Sequence, residues 1–141
     1  MTPSPICVPL DTSLAMAARE MRDHDIGDLL VVEDGRLVGI VTDRDLVVRA
    51  LAPGLDLDRT TVGEIGTRDV IAALPDDEIT RVAQLMSAHS IRRLPVCDGG
   101  HPIGVISLGD IAVEFGGDRL ADMQRTPQAV LADISEAPPN R

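Results

Sequence analysis

Shifted by 65 residues, the chain lies on itself without a gap. Met21-Arg22-Asp23-His24-Asp25-Ile26 falls on Met86-Ser87-Ala88-His89-Ser90-Ile91. Gly39-Ile40-Val41-Thr42-Asp43-Arg44-Asp45 falls on Gly104-Val105-Ile106-Ser107-Leu108-Gly109-Asp110. Identities at the same offset include Asp11/Asp76, Ala18/Ala83, Leu29/Leu94, Val31/Val96, Gly35/Gly100 and Val48/Val113. An ungapped register over half a chain marks a duplicated structural unit. Two units are too few for a solenoid and predict a closed pair about a pseudo-twofold axis. The seam of such a pair is a natural place for a ligand. In a chain of 141 residues, a half of about 60 residues is marginal alone, so the halves are expected to share a core.

Each half reads as strand, helix, strand, strand, helix. Ile6-Cys7-Val8 is a short apolar strand with Val70-Ile71-Ala72-Ala73 as its counterpart. Asp11-Thr12-Ser13 and Asp76-Asp77-Glu78 then supply N-cap side chains and acids for a first turn. Leu14, Ala17, Ala18 and Met21 follow at helical spacing, repeated by Ile79, Val82, Ala83 and Met86. Both stripes are expected to face a core. Leu29-Leu30-Val31-Val32 and Leu94-Pro95-Val96-Cys97 read as buried strands. Glu33-Asp34-Gly35-Arg36 and Asp98-Gly99-Gly100-His101 are hairpin turns, with glycine supplying positive φ. Leu37-Val38-Gly39-Ile40-Val41 and Ile103-Gly104-Val105-Ile106 are the return strands, and a second helix opens at Thr42 and at Ser107. The fold class is therefore α+β, two tandem β-α-β-β-α motifs. The first repeat is placed at residues 1–54, a turn-rich linker at 55–61 and the second repeat at 62–117. A tail at 118–141 carries a short helix from Pro127 to Ser135, and residues 136–141 are expected to fray.

Composition removes several function classes. Phe115 is the sole aromatic residue, so stacking of bases on Trp or Tyr is impossible. A net charge of −10 repels phosphodiester backbones and argues against DNA or RNA as a partner. Every basic residue is arginine, which leaves any anion site only guanidinium as its charged donor. Cys7 and Cys97 form no CxxC motif and occupy different repeat positions. They read as reduced core-strand residues of a cytoplasmic protein, with a disulfide between them left open. Neither a signal peptide nor an apolar run of about 20 residues is evident, so no membrane association is expected.

The chemistry concentrates in Gly-x-x-Thr/Ser-x-x-Asp, present twice: Gly39, Thr42, Asp45 and Gly104, Ser107, Asp110. One reading is structural. A hydroxyl and a carboxylate three residues apart resemble a capping box with Asp in place of Glu. The other reading needs the same groups. Glycine lets a ligand approach the backbone. The hydroxyl sits where a helix start favours phosphate, and the carboxylate can accept hydrogen bonds from both hydroxyls of a ribose.

With these residues in view, the unit resembles the CBS domain, and the pair resembles a Bateman module of the stand-alone bacterial type. The resemblance covers residues 1 to about 115. It rests on the Met21–Ile26 and Met86–Ile91 segments, Arg93-Leu94-Pro95-Val96, Gly39 to Asp45, and the tandem arrangement. It implies two clefts for an adenosine ligand such as AMP, ADP, ATP or a related compound. Asp45 and Asp110 would hold ribose, with Thr42 and Ser107 near phosphates. Gly39, Asp43, Arg92, Arg93 and Gly104 complete the candidate set. Such modules commonly form flat homodimers, here expected through the helices around Leu14–Met21 and Ile79–Met86. Val62-Gly63-Glu64-Ile65-Gly66 resembles the usual lead-in. The first half has no equivalent, so either the native start lies upstream of Met1 or that repeat lacks its lead-in.

By the same resemblance, the cleft of Thr42 and Asp45 receives Arg92 and Arg93, which suit phosphate. The cleft of Ser107 and Asp110 receives Gly27 and Asp28, and the latter repels it. One dominant nucleotide site, at Thr42/Asp45, is expected. No nucleophile, base and orienter come together in sequence, so no catalysis is expected. The function that the resemblance implies is that of a regulatory sensor. The alternatives are a protein–protein adaptor with vestigial clefts, and a metal-binding stress protein using His24, His89, His101 or a cysteine. The plain reading of His24 and His89 is helix C-terminal placement.

Overall fold

The structure, a computed structural model, describes residues 1–115. The expected helix from Pro127 to Ser135, the fraying segment 136–141 and the end of the second repeat at 117 lie outside the described residues. In chain order the elements are β1 (Thr2–Pro3), β2 (Cys7–Pro9), α1 (Leu14–His24), β3 (Asp28–Glu33) and β4 (Arg36–Thr42). Then α2 (Asp43–Asp45) runs directly into a π-helix (Leu46–Leu51). The second repeat supplies α3 (Val62–Ile65), α4 (Ile79–His89), β5 (Arg93–Asp98), β6 (His101–Ser107) and α5 (Leu108–Phe115). The chain divides into two compact units. One holds residues 4–70 with 99–102, the other residues 1–3, 71–98 and 103–115.

The first unit is a three-stranded sheet, β2-β3-β4, carrying α1. Cys7 pairs in parallel with Leu30, and β3 returns antiparallel into β4. The hairpin closes through Asp34 and Gly35, both at positive φ (52° and 76°), the geometry a two-residue turn requires. α1 begins where Ser13 Oγ accepts the Met16 N–H at 3.1 Å. It ends at Asp25, left-handed at φ 53°. There the Ile26 N–H closes back on the Met21 carbonyl at 3.0 Å. Leu14, Ala17 and Met21 are buried against Val8, Leu29, Val31, Val41, Ala50, Val62 and Ile65. Burying a Leu- or Val-sized side chain contributes about 1.5–3 kcal/mol. Ala18, expected inward, is exposed, whereas its second-repeat equivalent Ala83 is buried.

The second unit's sheet has the order β1-β6-β5. Val82, Ala83 and Met86 pack with Ala73, Leu94, Val96 and Ile111. The buried apolar residues form two clusters, one per unit, and the first unit's cluster takes in Val62 and Ile65 from the second repeat, so the halves share core residues to that extent. α4 opens differently from α1. Glu78 makes no side-chain cap bond, and Asp77 instead accepts the Leu74 N–H at 2.8 Å and pairs with Arg81 at 3.1 Å. The strand expected at Val70–Ala73 shrinks to one bridge, Ala73 to Val96. Pro95 explains this. Its first-repeat counterpart, Leu30, donates its N–H to the Ile6 carbonyl at 3.1 Å, and proline has no N–H to give.

The lead-in arms are exchanged. Thr67, of the second repeat, bridges to Ile40 of the first. Thr2, at the start of the first repeat, pairs with Val105 of the second. Thr2 and Thr67 are equivalent at the 65-residue offset, as are Ile40 and Val105. The turn at Gly99–Gly100 likewise belongs to the first unit. There Arg36 Nη1 donates to the Gly99 carbonyl at 2.9 Å, and His101 Nδ1 lies 2.9 Å from the Gly35 carbonyl.

Candidate functional site

Thr42 ends β4 in extended conformation (φ −115°, ψ 162°), and the backbone turns helical at Asp43. The reversal leaves N–H groups without helical partners. Thr42 Oγ1 accepts the Asp45 N–H at 3.1 Å, and Asp45 Oδ2 accepts the Thr42 N–H at 2.9 Å. The second repeat does the same. Ser107 Oγ accepts from Asp110 N at 3.2 Å, and Asp110 Oδ2 accepts from Ser107 N at 2.8 Å and from Ser107 Oγ at 3.1 Å. The capping role read from the sequence is therefore present twice.

The two carboxylates differ in their surroundings. Asp45 is 14% exposed, and its Oδ1 lies 3.6 Å from Arg49 Nε. The same guanidinium donates through Nη1 to the Ile65 carbonyl at 3.1 Å. Asp110 is 35% exposed, with the Met1 ammonium 3.9 Å from its Oδ2. Glu114 stands where the first repeat has Arg49. Arg49 escaped the sequence reading, although its place four residues after Asp45 was the signal.

The other candidates fall as follows. Asp43 is exposed, its Oδ1 accepting the Arg44 N–H at 2.8 Å. A Cβ on Gly39 would lie 3.0 Å from the Thr67 carbonyl, so this glycine admits the exchanged arm. Gly104 stands opposite Pro3 in the β1–β6 ladder. Arg92 and Arg93 are exposed at the start of β5. Gly39, Thr42, Asp43 and Asp45 thus share the first unit, and Arg92, Arg93, Gly104, Ser107 and Asp110 the second. A concavity of about 450 Å³ lies elsewhere in the first unit, lined by Pro9, Leu10, Asp11, Val32, Glu33, Asp34 and Gly35. It contains no motif residue.

His24 and His89 close α1 and α4 as expected, His24 lying 3.5 Å from Glu20. Among the described residues no three His, Cys, Asp or Glu side chains cluster as metal ligands would. Neither cysteine is in a disulfide. Cys97 is buried, but Cys7 is exposed, which corrects its assignment to the core: on β2 only Val8 alternates inward. Desolvation nevertheless pushes the Cys7 thiol pKa up. No helix among the described residues is long and apolar enough to cross a membrane.

The pattern that defines the CBS domain matches residues 1–51 and 62–117. The chain belongs to the CBS domain family. Its two CBS repeats are similar to the CBS domain-containing protein YhcV of Bacillus subtilis, 37% identical over 113 residues, 80% of each chain. Among solved structures, the CBS pair of protein MJ0100 in complex with 5′-methylthioadenosine and S-adenosyl-L-methionine matches with a TM-score of 0.72 and 35% identity. That match covers 84% of this chain and 94% of the other. Hypoxic Response Protein I, solved with two coordinated zinc ions, matches with a TM-score of 0.74 and 36% identity, over 80% and 92%.

Proposed function

We propose that this CBS pair is a cytoplasmic, non-enzymatic sensor that binds an adenosine compound (AMP, ADP, ATP or a relative) between its repeats. The observation that carries the reading is the hydroxyl–carboxylate motif, assembled twice with the same geometry at the same repeat position. The MJ0100 CBS pair, which holds two adenosine compounds, supports it. In this reading Asp45 and Asp110 accept the ribose hydroxyls, and Thr42 and Ser107 face the phosphates. Arg92 and Arg93 serve phosphate in the first cleft, while Asp28 discourages it in the second. Signalling follows from unequal affinity of the ligand for two arrangements of the repeats or of a homodimer.

One observation favours the adaptor alternative: both carboxylates already have structural work as caps. Thermal shift against adenosine, AMP, ADP and ATP separates the two, because a ligand that binds the native state raises the melting temperature. A concentration-dependent rise with any of these supports the sensor. No rise with all four supports the adaptor.

A further inference from the structure

We infer that Arg49 is a specificity-determining residue: its guanidinium is a built-in competitor for the Asp45 carboxylate, which makes the two motifs unequal acceptors of a ligand's vicinal hydroxyls. The inference rests on the adenosine reading and extends it to the order in which the motifs fill.

The observations are local to each repeat. Asp45 Oδ2 is engaged by the Thr42 N–H, and its Oδ1 faces Arg49 Nε at 3.6 Å. Arg49 is itself tethered, through Nη1, to the Ile65 carbonyl that ends α3. One guanidinium therefore covers the oxygen that the cap leaves over, and the carboxylate is only 14% exposed. A vicinal diol seeks both oxygens of a carboxylate, and here it must displace or share with a charged donor. A carboxylate already paired with a cation is also a weaker acceptor for neutral hydroxyls. The second repeat lacks the device. At the equivalent position stands Glu114, so no side-chain cation can reach Asp110 from one turn along α5. Among the described residues the cation near Asp110 is the Met1 ammonium, 3.9 Å from Oδ2, the oxygen that Ser107 already uses. Asp110 is 35% exposed. The backbone differs in parallel: Arg49 lies in the π-helix, whereas Glu114 lies in regular α-helix.

Adenosine is the right probe, since it offers the diol without a phosphate and so leaves Arg92 and Arg93 aside. Titration calorimetry is run on the wild type and on Asp45→Asn, Asp110→Asn, Arg49→Met and Glu114→Arg variants, and on Arg49→Met combined with Asp110→Asn. Circular dichroism verifies folding. Asp110→Asn is expected to cost the wild type more adenosine affinity than Asp45→Asn. In the Asp110→Asn background, Arg49→Met is expected to tighten adenosine about two- to fivefold, the worth of a partly exposed ion pair. Glu114→Arg is expected to weaken the wild type by a similar factor. If Arg49→Met does not fold, Glu114→Arg carries the test alone. Binding that responds to neither Arg49→Met nor Glu114→Arg overturns the inference and leaves the adenosine reading intact. Binding that appears only after Arg49→Met supports it. No adenosine binding to any protein in the set overturns both.

Discussion

Asp45 and Asp110 are asked to do two things at once. Each satisfies a backbone N–H at the start of a helix, and each is proposed to accept a ribose. A side-chain cap is worth about 1 kcal/mol, so Asp45→Ala and Asp110→Ala should each lower stability by roughly that amount whether or not a ligand binds. A drop in melting temperature alone therefore does not exclude ligand binding. A calorimetric titration decides: a carboxylate that also holds ribose should lose a further tenfold or so in nucleotide affinity, the scale of a charge-assisted hydrogen bond. Cys7 gives a second expectation at this scale. Desolvation raises its thiol pKa above the ordinary 9.0, so at pH 8 the folded chain holds less thiolate than the unfolded one. Iodoacetamide should label Cys7 more slowly in native protein than in urea, as read by mass spectrometry. The linkage has the same sign: the unfolded thiol loses its proton first, so this group's contribution to stability falls as pH rises past 9. A native rate equal to the rate in urea would refute the shift.

Elements built by local rules were legible in the sequence, and those built by distant chain were not. The two turns and the capping boxes at Thr42 and Ser107 all follow from residues within one turn of each other. Pro95 was legible in principle, because a strand residue without an N–H cannot hold a neighbour through that position. The role of Gly39 was not, because the carbonyl it accommodates belongs to Thr67, on another stretch of chain. Amphipathic stripes raised a different difficulty. Leu14, Ala17 and Met21, and Val82, Ala83 and Met86, are spent on the cores of their own repeats. Apolar surface remains at Val47 (54% exposed), Val48 (48%) and Leu51 (62%) on the π-helix and at Val113 (81%) on α5. The proposed homodimer should therefore depend on these residues. Val48→Glu and Leu51→Glu are expected to shift light scattering toward the 15.0 kDa monomer, while the melting temperature changes little. A dimer indifferent to both changes would exclude this face as the interface.

At the scale of the molecule, the duplication is more than two similar halves joined end to end. Because Thr2 completes the sheet that holds Val105, and Thr67 completes the one that holds Ile40, neither repeat finishes its own edge. Fragments 1–61 and 62–141 are each expected to fold poorly alone, and to recover native circular dichroism when mixed one to one. Independent two-state folding of either fragment would contradict this. A lone repeat of this design would find its missing arm only on a second copy, at a concentration set by the cell. Two repeats on one polypeptide supply each other's arm at fixed one-to-one stoichiometry. That converts a bimolecular assembly into an intramolecular one whose completion no longer depends on how much protein is made. It also imposes an order of events during synthesis. Thr2 and Pro3 must wait, unpaired, until a strand about a hundred residues later has emerged to receive them.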